Sequence, residues 1–219
     1  MTTSKEFLKL LRIHQWSKNA LVFLPLFASK QWSWEQGANT LLAFLSLSLV
    51  ASSGYVLNDL LDREADRNHP EKRKRPLSAG TVHVSSAVVI GLISLSVGLF
   101  VSFLVDGHLF VFLLVAYAAL SVSYSAILKT KLLLDVVVLS TLYIGRAMMG
   151  SVSANVELSN WLILFLFFLF LSLALLKRAV EFGSGKVVDP SSRRPYHPKD
   201  SNYLLVSGYL FGIGALLLL

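Results

Sequence analysis

Asn58, Asp59, Asp62 and Asp66 stand in one short run of a chain that is otherwise poor in acids. On a helix advancing 100° per residue, the three aspartates fall within an arc of about 60°, with Asn58 close to it. Carboxylates on one stripe repel each other, and a divalent cation removes that cost. Hard oxygen donors at this spacing suit Mg2+, which takes one or two carboxylates together with substrate phosphate oxygens. The same run also reads as a solvated, salt-bridged helix end, because Arg63 and Arg67 lie one step from Asp62 and Asp66. The residues C-terminal to the stripe favour the metal. The sequence continues His69-Pro70-Glu71-Lys72-Arg73-Lys74-Arg75-Pro76, then Gly80. Acidic ligands succeeded at once by fixed cations match a metal-bridged diphosphate, in which Lys or Arg neutralises the oxygens the metal leaves. The two prolines restrict the loop that carries those cations. A nuclear-localisation or lipid-headgroup patch would explain the basic residues and leave the carboxylates unexplained. His69, ahead of Pro70, reads as a loop-shaping residue.

Such a site needs elements to hold it, and composition says what kind. The chain has 219 residues, 54% hydrophobic and 15% charged, with a net charge of +7 and no cysteine. An average soluble domain carries about 25% charged residues. A chain this apolar with a basic excess fits an integral membrane protein with cationic loops, and hydrophobicity excludes intrinsic disorder. A nucleic-acid partner is disfavoured, because its basic surface would sit on a largely polar chain. Disulfides, thiolate metal sites and cysteine nucleophiles are ruled out.

Crossing about 30 Å of hydrocarbon takes roughly 20 residues of helix. Apolar stretches of that order run over 19–36, 39–57, 82–105, 108–128, 132–153 and 159–180, and a seventh opens near Tyr203. The first is the weakest, being interrupted by Pro25, Lys30 and Gln31. Ser46, Ser48, Ser52 and Gly54 let helices approach closely, so the spans are expected to pack as a bundle. No secretory signal is expected at the polar, basic N-terminus. Lys and Arg cluster in the N-terminal segment and in the loops 58–81, 129–131 and 177–200. The positive-inside rule therefore puts the N-terminus and these loops in the cytoplasm. The expectation is an all-α, polytopic integral membrane helix bundle forming a single domain over 1–219.

The run Asn58-Asp59-x-x-Asp62-x-x-x-Asp66, with His69-Pro70 and Arg75-Pro76-Leu77-x-x-Gly80, resembles the first aspartate-rich motif of the UbiA superfamily of membrane prenyltransferases. Further residues of the resemblance are Arg12 to Asn19, Tyr124, Lys129, Asp135, Tyr143-x-x-Arg146 and Lys177-Arg178-x-x-Glu181. Members of the superfamily usually have nine helices, so a chain with seven that stops at Leu219 is expected to be C-terminally truncated. Aromatic prenyltransferases of the superfamily usually carry a second, DxxxD-type motif after the sixth helix. Here that loop offers Glu181, Asp189 and Asp200 without such a pair, and its Lys-Arg-x-x-Glu run is similar to the phosphoribosyltransferase branch.

The resemblance implies transfer of a 5-phosphoribosyl group from phosphoribosyl diphosphate to a polyprenyl (decaprenyl) phosphate, with Mg2+ as cofactor and membrane lipid around the acceptor's tail. It assigns Asp59, Asp62 and Asp66 to the metal, supported by Asn58. Lys72, Arg75 and Lys129 go to the diphosphate, and Lys177 and Arg178, or Lys18, to the 5-phosphate. The alternative is an aromatic prenyltransferase using a prenyl diphosphate, and a more distant one is an ion-coupled transporter. Physics adds independent weight at Arg146, since a charge inside a span is costly unless it is paired or faces a hydrated cavity. Asp135, near the start of the same helix, reads either as sharing that cavity or as part of a structural Asp–Arg arrangement. Lys18 and Lys129 also fit simple snorkelling at helix ends. Phe165, Phe167, Phe168 and Phe170 read as lipid-facing or packed. A homo-oligomer is compatible with the sequence, which specifies none.

Overall fold

The computed structural model describes residues 4–30, 33–183 and 195–218. Within them all regular structure is helical. The α-helices are α1 (Ser4–Leu10), α2 (Leu24–Ala28), α3 (Trp34–Leu61), α4 (Arg63–Arg67), α5 (Val84–Ser102), α6 (His108–Ala126), α7 (Leu134–Ala154), α8 (Asn160–Gly183) and α9 (Ser201–Leu216). Among the described residues five helices, α3 and α5 to α8, are long and apolar enough to cross a bilayer.

The expected first span is not one helix. Residues Ile13–Phe23 form an 11-residue 3-10 helix, followed by α2. Pro25 enters the first turn of α2, where its missing N–H is tolerated, and so marks a new start. Lys30 then takes a left-handed backbone, φ 58°, and Gln31 lies outside the described residues. The expected seventh span is α9, whose 16 residues reach about 24 Å at 1.5 Å each.

The chain divides into two compact units, Met1–Val122 with Ala147–Val156, and Ser123–Arg146 with Glu157–Leu219. In the first, small residues bring α3 and α5 together. A Cβ on Gly98 would lie 2.9 Å from Val50 Cγ2 and 3.1 Å from the Ser46 carbonyl oxygen, so only glycine fits without a shift. Ser46 donates to that same Gly98 carbonyl at 2.8 Å, and Ser94 donates to the Leu49 carbonyl at 2.8 Å. In lipid such hydrogen bonds and close backbone approach take over from the hydrophobic effect in joining helices.

The 3-10 helix docks on another face of α3. Its three-residue period stacks Trp16, Asn19 and Val22 in one row. Trp16 Nε1 donates to Ser52 Oγ at 3.0 Å, and Asn19 Nδ2 donates to Ser48 Oγ at 3.0 Å, one turn earlier on α3. Val22 presses its backbone on Gly150 so closely that a Cβ there would sit 1.9 Å from the Val22 carbonyl oxygen. Ser48 and Ser52 thus serve this contact and Ser46 the one with α5, while a Cβ on Gly54 would meet nothing within 4 Å.

In the second unit α8 packs against α9 around Leu171, Leu175, Ala179, Phe182, Tyr196 and Leu204, with Val136 of α7. Ser172 donates to the Gly208 carbonyl at 2.7 Å, and Ser201 donates to the Ala179 carbonyl at 2.9 Å.

Candidate active site

The aspartate stripe does not lie on one uninterrupted helix. α3 ends at Leu61, Asp62 has φ −93° and ψ 4°, and α4 begins at Arg63. The break is local, since the Asp66 N–H still donates to the Asp62 carbonyl at 2.9 Å. Asn and Asp side chains compete with the helix for hydrogen bonds. Here Asn58 Nδ2 donates to Asp62 Oδ2 at 3.2 Å across the junction. Arg63 Nε reaches the Leu77 carbonyl at 3.3 Å and ties α4 to the following loop.

That loop is anchored from below. Leu77 is fully buried with Leu10, Val56, Val82 and Ala87. Thr81 donates to Glu6 of α1 at 3.0 Å. Hydrogen bonds from Lys9 and Thr81 hold the Glu6 carboxyl below the ordinary carboxylate value. His69 shapes the start of the loop, its Nδ1 accepting the N–H groups of Glu71 and Lys72 at 3.1 Å each.

The anchored loop carries Arg75 back to the aspartates. Its Nη1 donates to Asp66 Oδ2 at 2.5 Å and to Asp59 Oδ1 at 3.1 Å, so one NH2 group stands between two carboxylates seven residues apart. Asp59 Oδ1 accepts a second guanidinium, that of Arg12. Arg12 lies over the Tyr55 ring, 5.1 Å from its centroid. Asp59 and Asp66 are buried, 1% and 2% exposed. The result is an Arg12–Asp59–Arg75–Asp66 chain of zero net charge. Arg12 is the residue that sequence reasoning left without a role. Its backbone is left-handed, φ 50° and ψ 46°, a conformation costing a non-glycine residue about 1–2 kcal/mol. Nothing in the residue type signals this, although Arg12 does open the Arg12 to Asn19 run.

Does the cluster suit Mg2+? Among the described residues no three His, Asp or Glu side chains converge into a group that could hold a metal ion. A closed protein cage is therefore absent there, and Mg2+ does not require one. The donors are all hard oxygens, and Asp59 and Asp66 already share a single cation. The residues fit the ion in its usual form, bound by one or two carboxylates plus phosphate.

The other proposed residues belong to both units. Lys72 is half-buried in the loop turn, and Lys18 is exposed on the 3-10 helix. In the second unit, Asp135 of α7 is fully buried and pairs with Arg178 of α8, which is 2% exposed. Arg178 Nε donates to Asp135 Oδ2 at 2.6 Å and Nη2 to Oδ1 at 3.2 Å. Its Nη1 donates to Glu181 at 2.8 Å, while the Tyr124 hydroxyl donates to Asp135 Oδ1 at 2.7 Å. All three guanidinium nitrogens are thus engaged by carboxylates. Lys177, one residue and 100° away, is exposed. Lys129 is half-buried in the Leu128–Thr130 turn. Asp135 does not pair with Arg146: eleven residues along α7, Arg146 donates to the Leu142 carbonyl at 3.0 Å. Its guanidinium sits 4.7 Å over the Tyr143 ring, which stacks on Phe170 at 4.6 Å. Phe170 is accordingly packed, and Asp189 lies outside the described residues.

A polytopic helical membrane protein with a carboxylate–guanidinium cluster at the end of its longest described helix is the class that this fold and site define. The chain belongs to the UbiA prenyltransferase family, which it matches over residues 20–181. Its fold is similar to that of a UbiA homolog from Archaeoglobus fulgidus solved bound to GPP and Mg2+, with a TM-score of 0.76 at 20% identity, over 97% of this chain and 76% of that one. In sequence it is 39% identical over 180 residues to decaprenyl-phosphate phosphoribosyltransferase of Corynebacterium glutamicum, covering 80% of this chain and 54% of that protein. It is 42% identical over 178 residues to an uncharacterized protein of Sinorhizobium fredii, covering 81% of this chain and 34% of that protein. The chain therefore spans about a third to a half of the length of these two relatives.

Proposed function

We propose that the chain carries the catalytic site of a Mg2+-dependent membrane transferase that moves a 5-phosphoribosyl group from phosphoribosyl diphosphate to a polyprenyl phosphate. The observation that carries the reading is the Asp59–Arg75–Asp66 arrangement, paired acids and a phosphate-binding cation brought to one point by an anchored loop. The choice of donor rests on the likeness to the Corynebacterium enzyme and on Lys177-Arg178-x-x-Glu181.

In this reading Asp59, Asp62 and Asp66 are the candidate ligands, of which one or two would hold the metal together with phosphate oxygens, with Asn58 orienting Asp62. Bound Mg2+ supplies Lewis-acid stabilisation of the departing diphosphate. Arg75 and Lys72 bind diphosphate oxygens, and Lys129 is a third candidate for them. Arg178 is fully engaged by Asp135 and Glu181, so the 5-phosphate falls to Lys177 or Lys18, and Arg178 serves to hold α7 and α8 in place. Tyr124 keeps Asp135 oriented. Arg146, stacked on Tyr143, is the candidate for stabilising charge deeper in the chain. The bond from the anomeric carbon to the diphosphate oxygen breaks, and an oxygen of the acceptor phosphate bonds to that carbon. The acceptor phosphate is already anionic at neutral pH, so no general base is needed. The acceptor's isoprenoid tail lies among the spans and in lipid. The product is a lipid-linked pentose phosphate suited to cell-surface glycan synthesis, and the basic residues of the loops support a cytoplasmic side for the chemistry.

The test uses purified protein in detergent with Mg2+ and two substrate pairs. One is labelled phosphoribosyl diphosphate with polyprenyl phosphate, and the other a prenyl diphosphate with an aromatic acid. Radiolabel in the lipid fraction from the first pair is the expected result. Product from the second pair alone overturns the assignment.

A further inference from the structure

Arg75 occupies the place between Asp59 and Asp66 that a shared cation would take, with its Nη1 NH2 group in hydrogen-bond contact with both carboxylates. Its side chain is 26% exposed, against 2% for each aspartate. The acids are buried, whereas the cation is partly open to solvent. Asp59 does not depend on Arg75 alone, because Arg12 also donates to its Oδ1 and is itself held over Tyr55. Withdrawal of Arg75 therefore leaves Asp59 paired and Asp66 without this partner.

We infer that Arg75 is a resident counter-ion that blocks free divalent metal from the Asp59–Asp66 pair and yields it only to a metal–diphosphate complex. The inference rests on the diphosphate-donor reading above and adds an order of binding to it. A free metal ion must displace a guanidinium from two buried carboxylates without supplying it another anion. A metal–diphosphate brings that acceptor, since guanidinium and phosphate pair bidentately. Moving Arg75 from the carboxylates to the diphosphate keeps every charge compensated. Metal and diphosphate are thereby coupled: each binds better when the other is present, by the same factor. The exchange breaks no covalent bond and moves no proton.

The experiment is a Mn2+ titration of the detergent-solubilised chain followed by electron paramagnetic resonance, with and without inorganic diphosphate. Neither donor sugar nor acceptor lipid is used, so the result is independent of the product assay. For the wild type, diphosphate is expected to tighten Mn2+ binding by about tenfold or more, within the usual range of such couplings. In Arg75→Gln, Mn2+ alone should bind about tenfold tighter than in the wild type, and diphosphate should then add much less. Adding Asp66→Asn to Arg75→Gln should abolish the gain. Arg75→Lys provides a second reading should Arg75→Gln fail to fold. A single ammonium replaces the planar fork, so Mn2+ alone should again bind tighter than in the wild type. Equal Mn2+ affinity of wild type and both Arg75 variants overturns the inference, as does a gain that survives Asp66→Asn. If Mn2+ binds none of these proteins even with diphosphate, the inference falls together with the metal assignment. Lack of product in the lipid assay with normal Mn2+ coupling defeats only the choice of substrates.

Discussion

The two units each hold a cluster of arginine and aspartate, and the clusters are built differently. At the α3–α4 junction, Arg75 spans two carboxylates with one nitrogen and is a quarter exposed, and Arg12 is 20% exposed at its side chain. Between α7 and α8, Arg178 meets Asp135 through two nitrogens and Glu181 through the third, and both members of the main pair lie out of solvent. In the first arrangement Arg75 keeps a partly exposed side chain while Arg12 is held over Tyr55. The second engages all three guanidinium nitrogens with carboxylates, two of them on an acid that is fully buried. The same two residue types, brought together from distant points of the chain, therefore build two different kinds of cluster.

The contrast is most exposed to test at the Arg178–Asp135 clamp. Arg178→Met leaves Asp135 buried and uncompensated, and such broken pairs typically cost about 3–5 kcal/mol. Thermal unfolding in detergent should show that loss, and the double variant Arg178→Met with Asp135→Asn should regain most of it. A single variant as stable as the wild type would mean that the clamp is no clamp. At the α3–α4 junction the loss should be of activity. Asp62→Ala is expected to lower turnover by about 100-fold or more, roughly 3 kcal/mol of barrier, with unfolding temperature and membrane insertion kept. Retained Mg2+-dependent turnover would remove Asp62 from the metal set. Tyr124→Phe takes one hydrogen bond from Asp135 and should cost about 1.5–3 kcal/mol of stability, the range for bonds to charged groups. A cost near zero would show Arg178 holding Asp135 alone. The smallest effect belongs to the exposed Lys74–Glu71 pair at 3.3 Å, where Lys74→Ala should change stability by less than about 0.5 kcal/mol.

The long helices were legible because a run of about 20 apolar residues has few other ways to satisfy its backbone in lipid. The start of α3 was missed, because the apolar stretches were bounded at 36 and 39 by hydropathy while the helix begins at Trp34, where Ser33 and Gln36 form a reciprocal cap, Gln36 N–H to Ser33 Oγ at 3.2 Å and Ser33 N–H to Gln36 Oε1 at 2.9 Å. The aspartates and Arg75 stood out because charge is rare in this chain and theirs lies within 17 consecutive residues, Asp59 to Arg75. The break at Asp62 was hidden, since helical periodicity continues straight through it. The partner of Asp135 was hidden too. Arg146 is nearer in sequence, but the choice of Arg178, 43 residues away, is made by how α8 packs against α7. Arg12 was hidden for a different reason, because a left-handed backbone at arginine is imposed by tertiary contacts rather than by residue type.

The 3-10 helix that begins just after Arg12 sets a mechanical scale. At about 2.0 Å per residue against 1.5 Å for an α-helix, its 11 residues are stretched by roughly 5 Å relative to the commoner winding. Its seats on Ser52, Ser48 and Gly150 act like teeth engaged by a threefold cam. Losing or gaining one residue in it would turn the cam by a third of a revolution and disengage all three at once. The register of Ile13–Phe23 is in this sense the gauge that decides where Arg12 stops.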